Sequence, residues 1–317
     1  KIQAEGGKMK KVFIDGKAGT TGLRIFDRLS LRKDIEIMSL KEEERKDAEC
    51  RRNALNSCDI AFLCLPDDAA REAVSMVTNK NVKILDTSTA HRTDADFAYG
   101  FPELSEKMHK NIKEMNKIAV PGCHASGFIA LVYPLIESGV ISAETYLTCH
   151  SITGYSGGGK KMIAQYEAEV RDFRLDAPRQ YGIAQNHKHL KEMVKISGIA
   201  QAPVFCPIVS DFYSGMTVTV PLFKKDIVKG DINYIKEVYK EKYNGKIVSC
   251  AETPSEDGFI SAAELSGKDS MRISVAGNDD RILLVAMYDN LGKGASGAAI
   301  ECMNIALGED ETKGLII

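Results

Sequence analysis

The sequence predicts an α/β fold in the first part of the chain and an α+β fold in the second part. Short apolar strands alternate with helical segments up to about residue 122, and a glycine-rich turn directly follows the first strand. Longer strands of alternating polarity dominate after Cys123. Strands that alternate with helices are typical of βαβ units around a parallel sheet, whereas alternating polarity favours an antiparallel sheet with one buried face.

The N-terminal elements follow one another at the spacing of βαβ units. Their strands are short and continuously apolar, which indicates burial on both faces of a parallel sheet. The predicted strands span 11–15, 35–40, 59–65 and 82–86, and the helical segments between them span 20–31, 41–56 and 67–78.

After residue 122 the pattern changes to one long helix followed by several strands. The segments MTVTV and MRISV alternate between apolar and polar residues, so we expect an antiparallel sheet that leaves one face to solvent or to an interface. The helix is predicted over 124–138, the strands over 146–153, 204–212, 216–223, 271–276 and 282–288, and a closing helix over 295–307.

The composition of the 317 residues narrows the class of protein. Lys and Arg total 42 against 44 Asp and Glu, so the chain lacks the basic surplus of a nucleic-acid-binding protein. No apolar run approaches the roughly 20 residues that span a bilayer, and no secretory signal peptide is recognised. The eight cysteines show no CxxC pair and no metal-ligand spacing. We therefore expect a soluble cytoplasmic protein without a metal, and we set residues 1–8 aside as foreign to the fold.

The turn between the first strand and the first helix contains Gly16, Gly19 and Gly22 in a GxxGxxG spacing. Glycines there let the backbone approach a pyrophosphate, which the free N–H groups at the helix start can bind. A turn without a ligand is the alternative, but the strand–turn–helix context favours a dinucleotide. The second strand lacks the acidic residue typical of NAD binding, and Arg45 and Lys46 follow it. These cations favour NADP, and their alternative role is a solvated helix face.

Cys123 is the candidate nucleophile. It follows a Pro-Gly turn at the start of a predicted helix, where the helix dipole is expected to lower the thiol pKa. A small helix-capping residue is the alternative. A thiolate needs an acid/base partner, for which the segment NHKHLKE offers His187 and His189, with Glu192 as a carboxylate that could orient one of them. The HxH pair could also be half of a metal site, but it lacks further ligands at suitable spacing.

Two further segments carry cations that could bind an anion. Arg92 in DTSTAHR follows a parallel strand at the edge where ligands of open α/β sheets bind, and its planar fork suits a carboxylate or a phosphate. Lys160 ends the glycine-rich loop GYSGGGK, which also offers backbone N–H groups. The alternatives are a surface arginine and a flexible turn.

Eight segments, taken in their order along the chain, resemble those of the shorter form of the N-acetyl-γ-glutamyl-phosphate reductases. These are arginine-biosynthesis enzymes of the semialdehyde dehydrogenase superfamily. The segments are FIDGKAGTTGLRI, LPDDAA, DTSTAHR, YGFPEL, VPGCHASGF, SITGYSGGGK, NHKHLKEM and DNLGKGASGAA. The resemblance covers nearly the whole chain from Met9. One visible departure is Lys191, where the family pattern has proline after HKHL.

The resemblance implies a Rossmann-like NADP-binding domain formed by 9–122 and 290–317, because the last helix returns to it. It also implies a catalytic and oligomerisation domain formed by 123–289, in a homodimer or homotetramer. The implied activity is NADPH-dependent reduction of N-acetyl-γ-glutamyl phosphate to N-acetyl-L-glutamate 5-semialdehyde through a cysteine thioester. An enzyme resembling aspartate-semialdehyde dehydrogenase and a non-catalytic NADP(H)-sensing regulator remain as alternatives.

The same resemblance implies a role for each candidate site residue. Cys123 is the implied nucleophile and His187 the implied acid/base group, with His189 and Glu192 in support. The implied NADP(H) ligands are Gly16, Gly19, Thr20, Thr21, Gly22, Ser39, Arg45, Lys46, Pro66 and Asn290, and the implied substrate ligands are Ser88, Arg92 and Lys160. The implied partners are a small acyl phosphate or semialdehyde and phosphate, with no nucleic acid and no membrane.

Overall fold

The computed structural model describes residues 9–255 and 257–317. Residues 1–8, which we excluded from the fold prediction, lie outside the described residues. In the described parts, a six-stranded sheet comes first along the chain and a seven-stranded sheet second. This arrangement confirms the predicted succession of an α/β and an α+β part.

The first sheet is entirely parallel, as its apolar strands predict. Its strand order is β2-β1-β3-β4-β6-β5, and helices connect most successive strands. The strands are β1 Lys10–Asp15, β2 Ile35–Met38, β3 Ile60–Leu63, β4 Lys83–Asp86, β5 Ala98–Tyr99 and β6 Lys117–Ala119, and the helices are α1 Thr20–Leu29, α2 Ala48–Ser57, α3 Asp67–Met76 and α4 Glu106–Glu114.

The second sheet is mixed, which corrects the prediction of an antiparallel sheet. Its order is β11-β12-β13-β10-β7-β9-β8, and β7 pairs with β9, and β11 with β12, in parallel. These elements are α5 Cys123–Glu137, β7 Thr148–Gly154, α6 Gly159–Tyr166, β8 Arg179–Gln180, α7 Leu190–Ser197, β9 Val204–Ser210, β10 Met216–Phe223, α8 Ile232–Lys242, β11 Val248–Cys250, β12 Met271–Gly277, β13 Arg281–Tyr288 and α9 Gly297–Leu307.

Helix α5 is the central element of the second core. It is apolar almost all round, as expected of a helix buried on every side, and it packs against β10, β13, α7 and α8. Its first residue is Cys123. The burial of this helix therefore fixes the position of the candidate nucleophile.

The last helix, α9, packs against the first sheet and its helices. It contacts α1, α4 and β4, and its apolar residues belong to the same buried cluster as Val12 and Ile60. A π-helical turn at Gly292–Ser296 joins β13 to α9. The chain thus crosses between the two sheets through this turn. In the two described ranges, no helix is long and apolar enough to cross a membrane.

Candidate active site

A cleft of about 440 Å³ lies at the carboxyl edge of the parallel sheet, where the two parts of the chain meet. Loops after β1, β3 and β4 form one wall, and the start of α5, the loop after β7 and the segment before α7 form the other. The predicted site residues that line it are Gly19, Thr20, Thr21, Gly22, Pro66, Ser88, Arg92, Cys123, His187, His189 and Asn290.

A second cavity of about 400 Å³ is lined by Gly16, Lys17 and Ala18 of the glycine-rich turn. The cleft is lined by Gly19–Gly22 and Leu65 borders both cavities, so the two adjoin at this turn. The predicted cofactor residues that line the second cavity are Gly16, Ser39, Arg45 and Lys46. The structure therefore brings all the predicted cofactor residues to two adjoining cavities.

The glycine-rich turn has the features of an anion site. Gly16 has a φ of +83°, and a Cβ at this position would collide with the carbonyl oxygen of Cys64. The N-cap residue of α1, Gly19, supplies no side-chain cap, and no acidic residue lies in the first turn. The Thr20 hydroxyl is buried without a partner among the described residues. A dinucleotide pyrophosphate would fit these free donors and the positive end of the helix dipole.

Cys123 is partly buried at the N-terminus of α5. Burial raises the pKa of its thiol, and the positive charges of Arg92 and Lys188 and a backbone hydrogen bond at His124 counteract burial only in part. This corrects the expectation of a lowered thiol pKa. The physical reason is that the free-energy cost of removing a thiolate from water exceeds the stabilisation that the helix terminus and these cations provide.

Three histidine rings gather beside Cys123 in the cleft. The ring centroids of His187 and His189 are 4.7 Å apart, and His124 lies 5.8 Å from the first and 5.7 Å from the second. Burial lowers the pKa of all three, that of His124 to about 3. The cluster is therefore neutral near pH 7.

His124 lines the cleft, but the sequence reasoning discounted it. Consecutive residues on a helix do not face one another, so its ring was not expected beside Cys123. Its Nδ1 lies 2.6 Å from the Ser151 hydroxyl, and its Nε2 lies 2.6 Å from the Tyr181 hydroxyl. Tyr181 lines the cleft as well. Nothing in the sequence marked Tyr181, whereas the adjacency of His124 to Cys123 was a usable signal.

The two predicted histidines differ in their contacts. His187 accepts a hydrogen bond at Nδ1 from the backbone N–H of His189, at 3.2 Å. A neutral imidazole that accepts at Nδ1 carries its proton on Nε2. His189 is only 5 % exposed, and its Nδ1 has no partner in the described parts of the chain. His187 can therefore donate a hydrogen bond from Nε2, whereas His189 keeps an unpaired ring nitrogen.

Glu192 does not orient either histidine, which corrects the predicted contact. It lies one turn into α7 and accepts hydrogen bonds from Tyr99, at 2.8 Å, and from the backbone N–H of Gly122, at 2.9 Å. Its other oxygen accepts from Arg92 at 3.2 Å. Buried at 2 % exposure, this carboxylate stabilises the turn that precedes Cys123.

Arg92 is held from three sides at the edge of the cleft. Besides its ion pair with Glu192, it donates to the carbonyl oxygens of Val120 and Thr87, each at 2.9 Å. Two of its five N–H groups remain for a ligand. Ser88 beside it donates to Asp86 at 2.8 Å and lines the cleft.

Lys160 does not reach the cleft, which corrects its predicted role. Helix α6 begins at Gly159, so Lys160 lies in the first helical turn with its side chain exposed, while the preceding glycines line the cleft with their backbone. Besides Arg92, a cation that does line the cleft is Lys188, between the two predicted histidines. Its charge lowers the pKa of Cys123 and of His187.

Asn290 lines the cleft and is buried. Its amide oxygen accepts from the backbone N–H of Gly215 at 2.9 Å, and its amide nitrogen donates to Ser156 at 3.0 Å. These contacts fix the amide plane and leave one N–H free.

Among residues 9–255 and 257–317, no three metal-ligating side chains come together in an arrangement that could hold a metal ion.

Comparisons with known proteins agree with this architecture. Residues 11–112 match the family described as the semialdehyde dehydrogenase NAD binding domain, and residues 123–290 match the semialdehyde dehydrogenase dimerisation domain. Among solved structures, aspartate semialdehyde dehydrogenase II from Vibrio cholerae has a TM-score of 0.71 at 15 % identity, covering 95 % of this chain and 99 % of its own. A Candida albicans aspartate semialdehyde dehydrogenase with NADP has a TM-score of 0.67 at 16 % identity, covering 94 % and 98 %. At these identities the likeness shows the shared fold.

Curated relatives are much closer in sequence. The N-acetyl-γ-glutamyl-phosphate reductase of Sinorhizobium medicae is 44 % identical over 306 residues, covering 94 % of this chain and 98 % of the relative. N-acetyl-γ-glutamyl-phosphate reductase 2 of a Nostoc species is 45 % identical over 318 residues, covering 96 % and 99 %. The chain therefore belongs to the N-acetyl-γ-glutamyl-phosphate reductase family of semialdehyde dehydrogenases.

Proposed function

We propose that the protein is an oxidoreductase of arginine biosynthesis. It reduces N-acetyl-γ-glutamyl phosphate to N-acetyl-L-glutamate 5-semialdehyde with NADPH and releases phosphate. The observation that carries this proposal is a single cleft that joins the Gly19–Gly22 end of the dinucleotide turn, the Cys123 thiol and a neutral histidine cluster. The curated relatives of the chain are named as reductases of the same substrate.

The first step is attack of the Cys123 sulfur on the acyl carbon of the substrate. The carbon–sulfur bond forms, the bond to the phosphate oxygen breaks, and a thioester and phosphate result. The thiol must lose its proton, because burial keeps it protonated near pH 7. His189 has an unpaired Nδ1 in the same cleft and is the acceptor for this proton.

The second step reduces the thioester. NADPH, when bound, supplies the hydride for the thioester carbon. The resulting oxyanion accepts a hydrogen bond from Nε2 of His187, because the Nδ1 contact of this ring with the His189 backbone leaves its proton on Nε2. As the oxyanion collapses to the aldehyde, the carbon–sulfur bond breaks, the semialdehyde leaves, and the sulfur of Cys123 takes back the proton that His189 accepted in the first step.

The substrate carries a carboxylate and a phosphate, so its site needs cations. Lys188 is exposed in the cleft beside the histidines, and Arg92 presents its remaining N–H groups to the same space. Ser88 adds a hydroxyl at this wall. We assign these three side chains to the substrate, because the cofactor phosphates already have the donors of the glycine-rich turn.

The cofactor is NADP(H), bound along both cavities. Ser39, Arg45 and Lys46 line the second cavity and would hold the adenosine part, whereas Pro66 and Asn290 line the cleft and would hold the nicotinamide part. The binding domain comprises 9–122 and 290–317, and the catalytic domain comprises 123–289. The packing of α9 against α1 and α4 supports this division.

The protein forms a homo-oligomer, a dimer or a tetramer, in the cytoplasm. The match of residues 123–290 to a dimerisation domain supports the oligomer. Exposed apolar side chains on β7 and β13, among them Ile152 and Leu283, offer a surface for a second copy. Cytoplasmic location accords with a biosynthetic reaction on a small phosphorylated metabolite.

The test is the reverse reaction. We expect N-acetyl-glutamate semialdehyde to reduce NADP only when phosphate is present, and Cys123→Ser to abolish this reduction while binding NADPH like the wild type. Aspartate semialdehyde serves as the competing substrate, and its preferential oxidation would contradict the proposal. NADPH binding without turnover of either aldehyde would identify a cofactor-sensing regulator instead.

A further inference from the structure

We propose that Lys17 is a third cation of the adenosine 2′-phosphate subsite and sets the preference for NADP over NAD. The proposal rests on the proposed use of NADP(H). Neither the glycine spacing nor the residues after β2 pointed to Lys17, which lies inside the turn itself. It would make the glycine-rich turn contribute to the choice between the two cofactors as well as to phosphate binding.

The position of Lys17 carries the first step of the argument. It lies between Gly16 and the start of α1, and it lines the second cavity together with Ser39, Arg45 and Lys46. Gly16 must remain glycine because of its positive φ and its contact with Cys64, so the backbone course into Lys17 is fixed. Three cationic side chains from two separate loops therefore border one cavity.

The balance of charge in this cavity is the second step. Arg51 also lines it, but this arginine is already neutralised, because it donates to Asp15 at 2.9 and 3.1 Å and to Glu72 at 3.1 Å. Within the described residues, Lys17, Arg45 and Lys46 form no ion pair with a carboxylate at 4 Å or less. The positive charge available to a ligand thus comes from these three side chains.

The mutual influence of the cations is the third step. Burial lowers the pKa of Lys17, the charge of Arg45 lowers it further, and Asp27 opposes both. Two like charges close enough to affect each other destabilise the free cavity, and an anion between them relieves this repulsion. A phosphomonoester with nearly two negative charges suits such a group better than a ribose hydroxyl.

The side chain of Lys17 is also held in place. Its Nζ lies over the Phe26 ring, 3.0 Å from the centroid, in a cation–π contact on α1. Such a contact limits the rotamers of a long side chain before the ligand arrives. Less conformational entropy is then lost when Lys17 binds a phosphate.

The experiment compares two fragments that differ only in the 2′-phosphate, namely 2′,5′-ADP and 5′-AMP. In Lys17→Met, we expect the affinity for 2′,5′-ADP to fall about 10- to 100-fold, the range for one hydrogen bond to a charged group. The affinity for 5′-AMP should stay at its wild-type value. Isothermal titration calorimetry on the full chain measures both, and kcat/KM should fall for NADPH but not for NADH.

Lys41→Met is the matched control, because Lys41 is exposed and does not line the cavity. It should leave both affinities unchanged. Equal losses for the two fragments in Lys17→Met would place Lys17 on the 5′-phosphate and overturn the proposal, as would wild-type affinity for 2′,5′-ADP. Fragment binding is independent of turnover, so failure of the proposed reaction would show separately, as an inactive wild-type enzyme that still binds 2′,5′-ADP.

Discussion

At the scale of single residues, the site keeps the Cys123 thiol protonated, and the thiolate is its reactive form. Burial raises the pKa of Cys123 and lowers the pKa of His187 and His189, so the resting pair is a neutral thiol beside neutral imidazoles. Moving a proton from sulfur to nitrogen would create two charges in a poorly hydrated cleft. Arg92 and Lys188 favour the thiolate, and a bound anionic substrate would compete for these same cations. We expect the proton to move only as the sulfur attacks.

This resting state predicts how Cys123 reacts with an alkylating reagent in the free protein. Because only the thiolate reacts, and burial places the thiol pKa above its ordinary value, the iodoacetamide rate should still rise with pH above about pH 8.5. Lys188→Met should shift the curve to higher pH, because it removes a charge that lowers this pKa.

Mass spectrometry of the peptide that contains Cys123 follows this thiol among the eight cysteines. Lys160→Met is the control and should leave the curve in place, because Lys160 does not line the cleft. A rate that reaches a plateau near pH 7 would show that the site stabilises a resting thiolate.

Single residues also show where sequence reasoning reached its limit. That the glycine turn, Cys123 and the His187–His189 pair line adjoining cavities could be predicted, because their motifs carry their own chemistry; their roles stay a prediction. Glu192 was assigned a wrong contact, since its side chain reaches Gly122 and Arg92 through tertiary packing rather than through its neighbours in sequence. Lys160 was placed at the site in error, because helix α6 begins at Gly159 and leaves the Lys160 side chain exposed outside the cleft.

At the scale of elements, the π-helical turn between β13 and α9 completes the cleft. Gly294 packs so closely on Cys123 that an added Cβ would lie 3.1 Å from its Cβ. The turn is anchored by Lys293, which is 2 % exposed and donates to Glu103 at 2.6 and 2.8 Å and to Glu301 at 2.5 Å. Burial and the neighbouring Glu103 raise the pKa of Glu301 well above its ordinary value. Glu301 therefore tends to hold a proton.

The buried anchor predicts a pH-dependent loss of stability. Lys293→Met removes the cation that pairs with the buried Glu301 and the partly buried Glu103, which should cost about 3–5 kcal/mol in the free energy of unfolding. A carboxyl whose folded pKa is raised loses stability as pH rises through that value. The loss in Lys293→Met should therefore be larger near pH 8 than near pH 5.

Urea unfolding at both pH values measures this difference. Adding Glu301→Gln to Lys293→Met should reduce the pH dependence, because the amide cannot ionise. Lys110→Met, which breaks an exposed pair with Glu114, is the control and should cost at most about 1 kcal/mol. An equal loss for Lys293→Met at both pH values would show that Glu301 does not titrate in this range.

The elements that the sequence predicted were those with a strong local pattern. Helix α5 and strands β10, β12 and β13 lie within one residue of their predicted bounds at either end. Strands β5 and β8 have only two residues each, too few for a periodic pattern. The parallel pairing of β7 with β9 was missed because alternation within a strand reports its burial and not the direction of its neighbour.

At the scale of the whole molecule, ion pairs connect the cofactor helix α1 to the second part of the chain. Arg28 pairs with Asp269, and Arg24 lies 3.7 Å from Asp289. Asp289 in turn accepts hydrogen bonds from the backbone N–H groups of Leu291 and Gly292, at 2.7 and 3.0 Å. The helix that begins at the glycine turn is thereby joined to the turn that follows Asn290. Each arginine is far from its aspartate in sequence, so these two ion pairs could not be predicted.

Helices α5 and α8 pack on one face of the second sheet, and part of the other face is covered by no helix of residues 9–255 and 257–317. On β7 and β13, Ile152 and Leu283 are 37 % and 38 % exposed. Exposed apolar side chains on the face of a sheet are typical of a surface that another chain covers.

A second copy of the chain is the expected partner of this face, which leads to the last prediction. Ile152→Glu together with Leu283→Glu should place charges in the interface and shift the protein to the monomer, because burying an unpaired charge is costly. Sedimentation equilibrium measures the mass, and 2′,5′-ADP binding in the distant second cavity reports that each chain remains folded. Leu31→Glu is the control, since Leu31 is 84 % exposed at the end of α1 and should leave the oligomer intact. A folded double variant with the wild-type mass would place the interface elsewhere.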